Sequence, residues 1–232
     1  MGDSLPVDAA GLVIGADGCR GGGWVLAVVD GGGALSWEWA DDTAALLAVA
    51  DRCGAGAVAL DVPIGLPALG GRRACDDLAR ARLGARRSSV FAAPPREVLA
   101  CATYAEARLL APSLSAQAFG LVPRIREVDQ ALRARGPQVH DRVVECHPEV
   151  VFAATAGGLA PKRTARGALQ RLGLLADRLA GGVPSDVPPG AALDDALDAA
   201  VCALTALRWA RGEAEVLGSE VDPLGVPARI VV

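Results

Sequence analysis

Aromatic residues are scarce in this chain of 232 residues, since Phe, Trp and Tyr make up 3% of it although 52% of the residues are hydrophobic. The apolar residues are therefore mostly Ala, Val and Leu, and a core of such small side chains requires backbones that approach each other closely. This composition favours tight layers of helices packed on a sheet. The balanced charge and high apolar content exclude a disordered or collagen-like chain.

Long apolar runs and paired cysteines are also missing. Charged residues such as Asp17, Arg20, Asp61 and Arg80 interrupt the longest apolar stretches before the roughly 18 residues that a membrane span needs. The six cysteines are scattered without a C-x-x-C pair, so neither a zinc ribbon nor a disulfide framework is indicated. No basic region leads into an apolar segment at the start. We therefore expect a cytoplasmic protein with no membrane partner.

Lysine is nearly absent, because Lys162 is the only lysine among 23 basic residues. Arginine suits bidentate phosphate contacts, but a GC-rich genome produces the same excess. The formal net charge of -4 argues against nonspecific binding to duplex nucleic acid, although it does not exclude a local basic groove. The G-x-S-x-G nucleophile motif and the G-x-x-x-x-G-K-[ST] phosphate loop are missing, so the chain lacks the signatures of those hydrolases and nucleotide-binding proteins.

The order of apolar runs and turn residues predicts a mixed α/β fold. Three short strands with tight connections form an antiparallel meander, and the strand, helix and buried strand that follow imply a parallel crossover. We expect one domain over 11–232 with a five-stranded sheet of order 3-2-1-4-5. The expected elements are strands at 11–16, 23–29 and 35–39, a helix at 44–53, a strand at 57–62, an inserted helical region at about 70–135, a strand at 142–146, helices within 164–211 and an edge strand at 226–232.

Acidic residues lie where three of these strands end and where the last long helix begins. Asp17, Asp61 and Glu145 follow or end the first, fourth and fifth strands, while Asp195 and Asp198 can share one face of the helix. Function in such a sheet collects at the carboxyl ends of the parallel strands. Clustered carboxylates repel each other unless a cation lies between them, and Mg²⁺ prefers oxygen ligands. The pattern indicates a Mg²⁺ or Mn²⁺ site with Asp17, Asp61 and Asp198 as metal ligands.

All five acids are candidate catalytic residues under this hypothesis. Two divalent cations about 3.5–4 Å apart can activate a water molecule and stabilise the leaving oxygen of a phosphodiester. Four of these acids also have an ordinary structural interpretation. Asp17 can form a turn before Gly18, Asp61 can cap the turn at Pro63, Glu145 can be a salt-bridge partner, and Asp195 can stabilise the helix N-terminus.

Seven segments, in order from about residue 11 to residue 212, resemble the DUF429 family, whose members are regarded as predicted nucleases of the RNase H-like fold. The segments are Gly15-Ala-Asp-Gly-Cys-Arg-Gly-Gly with Trp24-Val, Asp61-Val-Pro-Ile-Gly-Leu-Pro, Gly71-Arg-Arg-Ala-Cys-Asp, Arg87-Ser-Ser-Val-Phe-Ala-Ala-Pro, Glu127-Val-Asp, Glu145-Cys-His-Pro-Glu and Asp195-Ala-Leu-Asp-Ala-Ala-Val-Cys-Ala.

The resemblance implies an α/β, RNase H-like mixed sheet and a divalent-metal-dependent nuclease or phosphodiesterase that hydrolyses its substrate with metal-activated water. Asp17 would be the central metal-bridging carboxylate, Asp61 the acid of the fourth strand, and Asp195 with Asp198 the acids of the terminal helix. The arrangement is similar to Holliday-junction resolvases of the RuvC type, which carry an Asp-x-x-Asp pair on their last helix. Glu145 has no firm counterpart there.

Three polar residues are candidates for substrate binding: Arg20, Arg87 and Ser88. Arg87 and the adjacent hydroxyls come directly before a strand-like Val90-Phe91 pair, and a basic side chain beside hydroxyls suits a phosphate group. Arg20 belongs to the first of the seven segments. The expected partner is a nucleic acid or a small phosphoester.

Two other functions fit parts of the sequence. An actin-like or sugar-kinase-like ATPase would use Asp17-Gly18 in a phosphate hairpin, but such proteins need two domains and this chain is short for that. A non-catalytic RNase H-like scaffold could bind a small ligand or a protein partner through its acidic pocket. The negative net charge and the lack of interleaved aromatic and basic residues favour this scaffold over a processive nucleic-acid enzyme. The oligomeric state stays open.

Overall fold

The computed structural model describes residues 11–156 and 158–232, and within them seven strands form one sheet of order β3-β2-β1-β4-β5-β7-β6. The strands are β1 (Val13–Gly18), β2 (Trp24–Val29), β3 (Leu35–Ala40), β4 (Ala57–Leu60), β5 (Val143–Cys146), β6 (Val216–Val221) and β7 (Pro227–Val231). The helices are α1 (Thr43–Arg52), α2 (Ala74–Leu83), α3 (Tyr104–Leu110), α4 (Ala116–Gly120), α5 (Val122–Ala134), α6 (Val139–Arg142), α7 (Pro148–Ala156), α8 (Ala165–Ala176) and α9 (Leu193–Ala210), with 3₁₀ turns at Gly84–Ser89 and Arg96–Ala100.

The central sheet confirms the predicted α/β arrangement. Strands β1, β2 and β3 pair in antiparallel fashion, and β4 and β5 continue the sheet parallel to β1. This part has the order 3-2-1-4-5 and is consistent with an RNase H-like fold. The region 70–135 contains α2 to α5 and both 3₁₀ turns, as the change in composition predicts. No helix within the described residues is long and apolar enough to cross a membrane.

The far edge of the sheet differs from the prediction. Strand β7 pairs with β5 in parallel fashion and therefore lies inside the sheet, while β6 pairs with β7 and forms the outer edge. Strand β6 is not predictable from its sequence, because only Leu217 in that strand is buried and the apolar alternation of a half-buried strand is missing.

The backbone of helix α9 packs directly against the backbone of β1. Alternate residues of β1 face opposite sides of the sheet. Val13 belongs to the core on the α9 side, and Ile14 to the core under α1 and α5. Gly15 also faces α9, where an added Cβ would lie 2.0 Å from the amide nitrogen of Ala203 and 2.2 Å from the carbonyl oxygen of Ala199. The α9 and β1 backbones thus approach each other closely, as the scarcity of large side chains in the composition predicts.

This contact makes Gly15 a sensitive position. A methyl group there forces α9 away from β1, so we expect Gly15→Ala to lower the free energy of unfolding by about 1–3 kcal/mol, the usual cost of overpacking. Urea denaturation measures the change. Gly56→Ala is the matched control, because a Cβ at Gly56 meets no heavy atom within 4 Å. Equal losses in the two variants would contradict the close-packing argument.

Candidate metal centre

Three aspartates meet where β1 and β4 end against α9. Ala16 pairs with Leu60 across the parallel strands, and the amide of Asp61 donates a hydrogen bond of 3.1 Å to the carbonyl oxygen of Ala16. Asp17 and Asp61 therefore leave the sheet side by side. Asp198 reaches them from α9, and one carboxylate oxygen from each aspartate lies within 4.8 Å of the other two. This acidic trio of Asp17, Asp61 and Asp198 can hold a metal ion.

Burial raises the pKa of every member of the acidic trio. For Asp17, the pKa lies well above its usual range because of desolvation and then repulsion from Asp61 and Asp198. Desolvation raises the pKa of Asp61 to about 6. Desolvation and then repulsion from Asp61 raise the pKa of Asp198 to about 7, although Lys162 opposes both effects. The charged form of each carboxylate is thus disfavoured, because the surrounding protein compensates its negative charge only in part.

A lysine supplies this partial compensation. Nζ of Lys162, in the loop between α7 and α8, lies 2.5 Å from Oδ2 of Asp198. The negative charges of all three aspartates favour the protonated amine and raise the pKa of Lys162 despite its burial. The other oxygen of Asp198, Oδ1, is buried and has no hydrogen-bond partner among the described residues. The sequence did not predict Lys162 as a site residue. The one signal that could have identified it is that it is the single lysine of an arginine-rich chain.

Asp195 lies one turn before Asp198 and has a capping role. Its Oδ2 accepts a hydrogen bond of 3.0 Å from the amide of Ala192, at the start of α9. Its negative charge contributes to the raised pKa of Asp17. The structure therefore places Asp195 beside the acidic trio, with its carboxylate engaged at the helix N-terminus.

Glu145 lies outside the acidic trio, in a buried ion pair. It pairs with Leu60 across β4 and β5, so it faces the opposite side of the sheet from Asp61. Its Oε2 accepts hydrogen bonds of 2.7 Å from both Arg73 Nη1 and the amide of Ile64, and its Oε1 accepts one of 2.9 Å from Arg73 Nη2. Arg73 also bonds Asp76. Glu145 thus forms a salt bridge with Arg73, which is the structural interpretation of this residue.

A cleft of about 470 Å³ opens beside Asp198. Its lining includes Arg20, Lys162 and Arg163. The described residues provide no ion-pair partner for Arg20 or Arg163, and both residues are exposed. The structure thus brings the predicted substrate-binding residue Arg20 to the same cleft as Asp198.

Arg87 and Ser88 line a different cleft. This second cleft has a volume of about 850 Å³ and lies within the helical insertion, between residues 70–95 and residues 110–118, with Phe91 also in its wall. Asp17, Asp61 and Asp198 are not part of its lining. The structure therefore separates the candidate substrate-binding residues into two clefts, a division that the sequence did not predict.

We expect neutral substitutions of Glu145 and Asp17 to change the free energy of unfolding in opposite directions. Glu145→Gln leaves the buried guanidinium of Arg73 with less negative charge, so we expect the free energy of unfolding to fall by about 3–5 kcal/mol. Asp17→Asn removes a carboxylate whose charged form is disfavoured by desolvation and by repulsion from Asp61, Asp198 and Asp195, so in metal chelator we expect the free energy of unfolding to rise. Chemical denaturation at pH 8 measures both. Changes of the same sign would contradict the contrast between the well-compensated carboxylate of Glu145 and the poorly compensated carboxylate of Asp17.

The chain matches the family model described as "Protein of unknown function (DUF429)" over residues 15–222, a range that contains Asp17, Asp61, Lys162 and Asp198. No curated protein and no solved structure matches the chain. The family match confirms the resemblance carried by the seven sequence segments. The chain belongs to the DUF429 family.

Proposed function

We propose that this protein is a divalent-metal-dependent phosphodiester hydrolase, a nuclease or phosphodiesterase, in which Asp17, Asp61 and Asp198 hold Mg²⁺ or Mn²⁺. The observation that carries the proposal is the convergence of the three carboxylates, with oxygens within 4.8 Å of one another. Both cations prefer oxygen ligands. The buried Oδ1 of Asp198, which has no partner among the described residues, fits a ligand atom for such a cation.

The chain's own residues bind and orient the reactants. When bound, a divalent cation supplies a nucleophile by lowering the pKa of water and stabilises the developing charge on the phosphoester. Arg20 and Arg163 attract an anionic substrate into the cleft beside Asp198. Asp195 positions the start of α9 and thereby Asp198. Glu145 is left out of this reacting set, because Arg73 and the amide of Ile64 occupy both of its oxygens.

One observation favours a second candidate function. The ion pair between Lys162 and Asp198 compensates part of the negative charge without a metal ion. A non-catalytic scaffold that binds a small ligand or a protein partner through this pocket would need no further cation. Metal titration separates the two candidates, because only the hydrolase requires a cation at the acidic trio.

The metal centre is tested by Mn²⁺ titration calorimetry. We expect the wild-type protein to bind Mn²⁺ and to hydrolyse bis-(p-nitrophenyl) phosphate, and Asp17→Asn to lose both properties while remaining folded. Asp186→Asn, a change at an exposed loop aspartate, is the matched control and should behave as wild type. Mn²⁺ affinity should rise between pH 6 and pH 8, because Asp198, whose pKa is about 7, must lose its proton to bind the cation. Retained activity in Asp17→Asn would overturn the assignment.

Variants in each of the two clefts test whether the substrate occupies only the cleft beside Asp198 or also extends to the second cleft. We expect Arg20→Gln to raise KM for both bis-(p-nitrophenyl) phosphate and a single-stranded oligonucleotide, because Arg20 lines the cleft beside Asp198. Arg87→Gln should raise KM for the oligonucleotide alone, because Arg87 lines the second cleft. Steady-state kinetics of the two variants on both substrates measure this. An oligonucleotide KM unchanged by Arg87→Gln would remove the second cleft from the substrate path.

A further inference from the structure

The acidic trio already has one cation of its own. The Lys162 side chain is 34% exposed and enters from the cleft, whereas that of Asp198 is only 2% exposed. The ammonium group bonds Oδ2 of Asp198 at 2.5 Å and leaves Oδ1 of the same carboxylate free. The two oxygens of Asp198 are therefore in different situations, one bound to a cation and one without a partner among the described residues.

The charges of these groups limit how many metal ions the site needs. When ionised, the three carboxylates and the single ammonium carry a formal sum of -2. One divalent cation neutralises this sum, and a second one would add an excess of positive charge next to the ammonium. Like charges at such short range disfavour each other strongly in a buried site.

We propose that Lys162 takes the place of a second metal ion, so that the acidic trio binds a single divalent cation while the ammonium stays on Oδ2 of Asp198. The inference rests on the proposed function and deepens it, because it replaces our expectation of a two-cation centre. Lys162 is then a positioning residue. Its ammonium holds Asp198 in place and supplies, at the cleft, positive charge that a second cation supplies to a phosphoester in two-metal sites.

Stoichiometry gives the first test. We expect titration calorimetry to show one equivalent of Mn²⁺ bound to the wild-type protein. Lys162→Gln removes the positive charge, so it should bind a second equivalent and should bind the first about tenfold more tightly, a coupling of ordinary size between neighbouring sites. Lys162→Arg keeps the charge and should restore the single equivalent. Asp17→Asn should bind none.

The single lysine of the 232-residue chain gives a second test that does not depend on activity or on a variant at Lys162. Protein labelled with ¹³C at lysine Cε gives one side-chain NMR signal of this type. We expect saturating Mg²⁺ to leave the ¹³Cε chemical shift of Lys162 close to its value in the metal-free protein, where the ammonium is paired with Asp198. Asp198→Asn, which breaks the ion pair without metal, gives the reference position of a released lysine.

The outcomes separate this inference from the proposed function. Two equivalents in the wild type, one equivalent in both wild type and Lys162→Gln, or a Mg²⁺-induced shift of the lysine signal to the released position would overturn the role of Lys162 and leave the metal centre intact. No binding to wild type and none to Lys162→Gln would overturn both. One equivalent in wild type and two in Lys162→Gln, with a stationary lysine signal, would support both.

Discussion

The contact between α9 and β1 at Gly15 is the constraint on which the site depends. Because Gly15 has no side chain, the helix backbone lies directly on the strand, with Ala199 and Ala203 closest to it. Asp198 immediately precedes Ala199, and Asp17 lies two residues after Gly15 on the same face of β1. The packing that closes the core therefore also sets the distance between two members of the acidic trio. A core of larger residues would hold the two carboxylates apart.

Two groups of acids in this protein differ in how many hydrogen-bond donors and cations compensate their negative charge. Glu145 receives three hydrogen bonds from Arg73 and Ile64, and Asp76 shares the same guanidinium, so little of their charge is uncompensated. The acidic trio has one cation, the ammonium of Lys162 on Asp198, and one amide donor, that of Gly18 on Asp17, and Oδ1 of Asp198 stays buried without a partner among the described residues. Well-matched buried charges are typical of structural ion pairs, whereas clustered buried carboxylates with few donors are unfavourable unless a cation binds them. The supply of hydrogen-bond donors thus distinguishes the Glu145 ion pair from the acidic trio better than location in the sheet does.

The sequence predicted the central sheet and the acidic trio because both follow from local patterns. The carboxyl ends of parallel strands lie at one edge of the sheet, so an acid near the end of β1 and an acid directly after β4 must meet. Glu145 precedes the final residue of β5 and faces the other side, a difference of one residue that strand predictions from sequence do not resolve. The cation partners lay beyond sequence reasoning, because Arg73 and Glu145 are 72 positions apart and Lys162 and Asp198 are 36 apart. Only the tertiary fold brings such pairs together.

The structural ion pair supports the acidic trio through the loop after β4. Asp61 begins this loop, and a few residues later the amide of Ile64 bonds Glu145 while the carbonyl oxygens of Ile64 and Gly65 accept hydrogen bonds from Arg73. Gly65 has a φ of +73° and lies so close to Pro227 that a Cβ would be 2.5 Å from its carbonyl oxygen. The loop is therefore held at both ends, by β4 and by the Arg73 ion pair. Glu145 and Arg73 thus hold the loop that begins with Asp61.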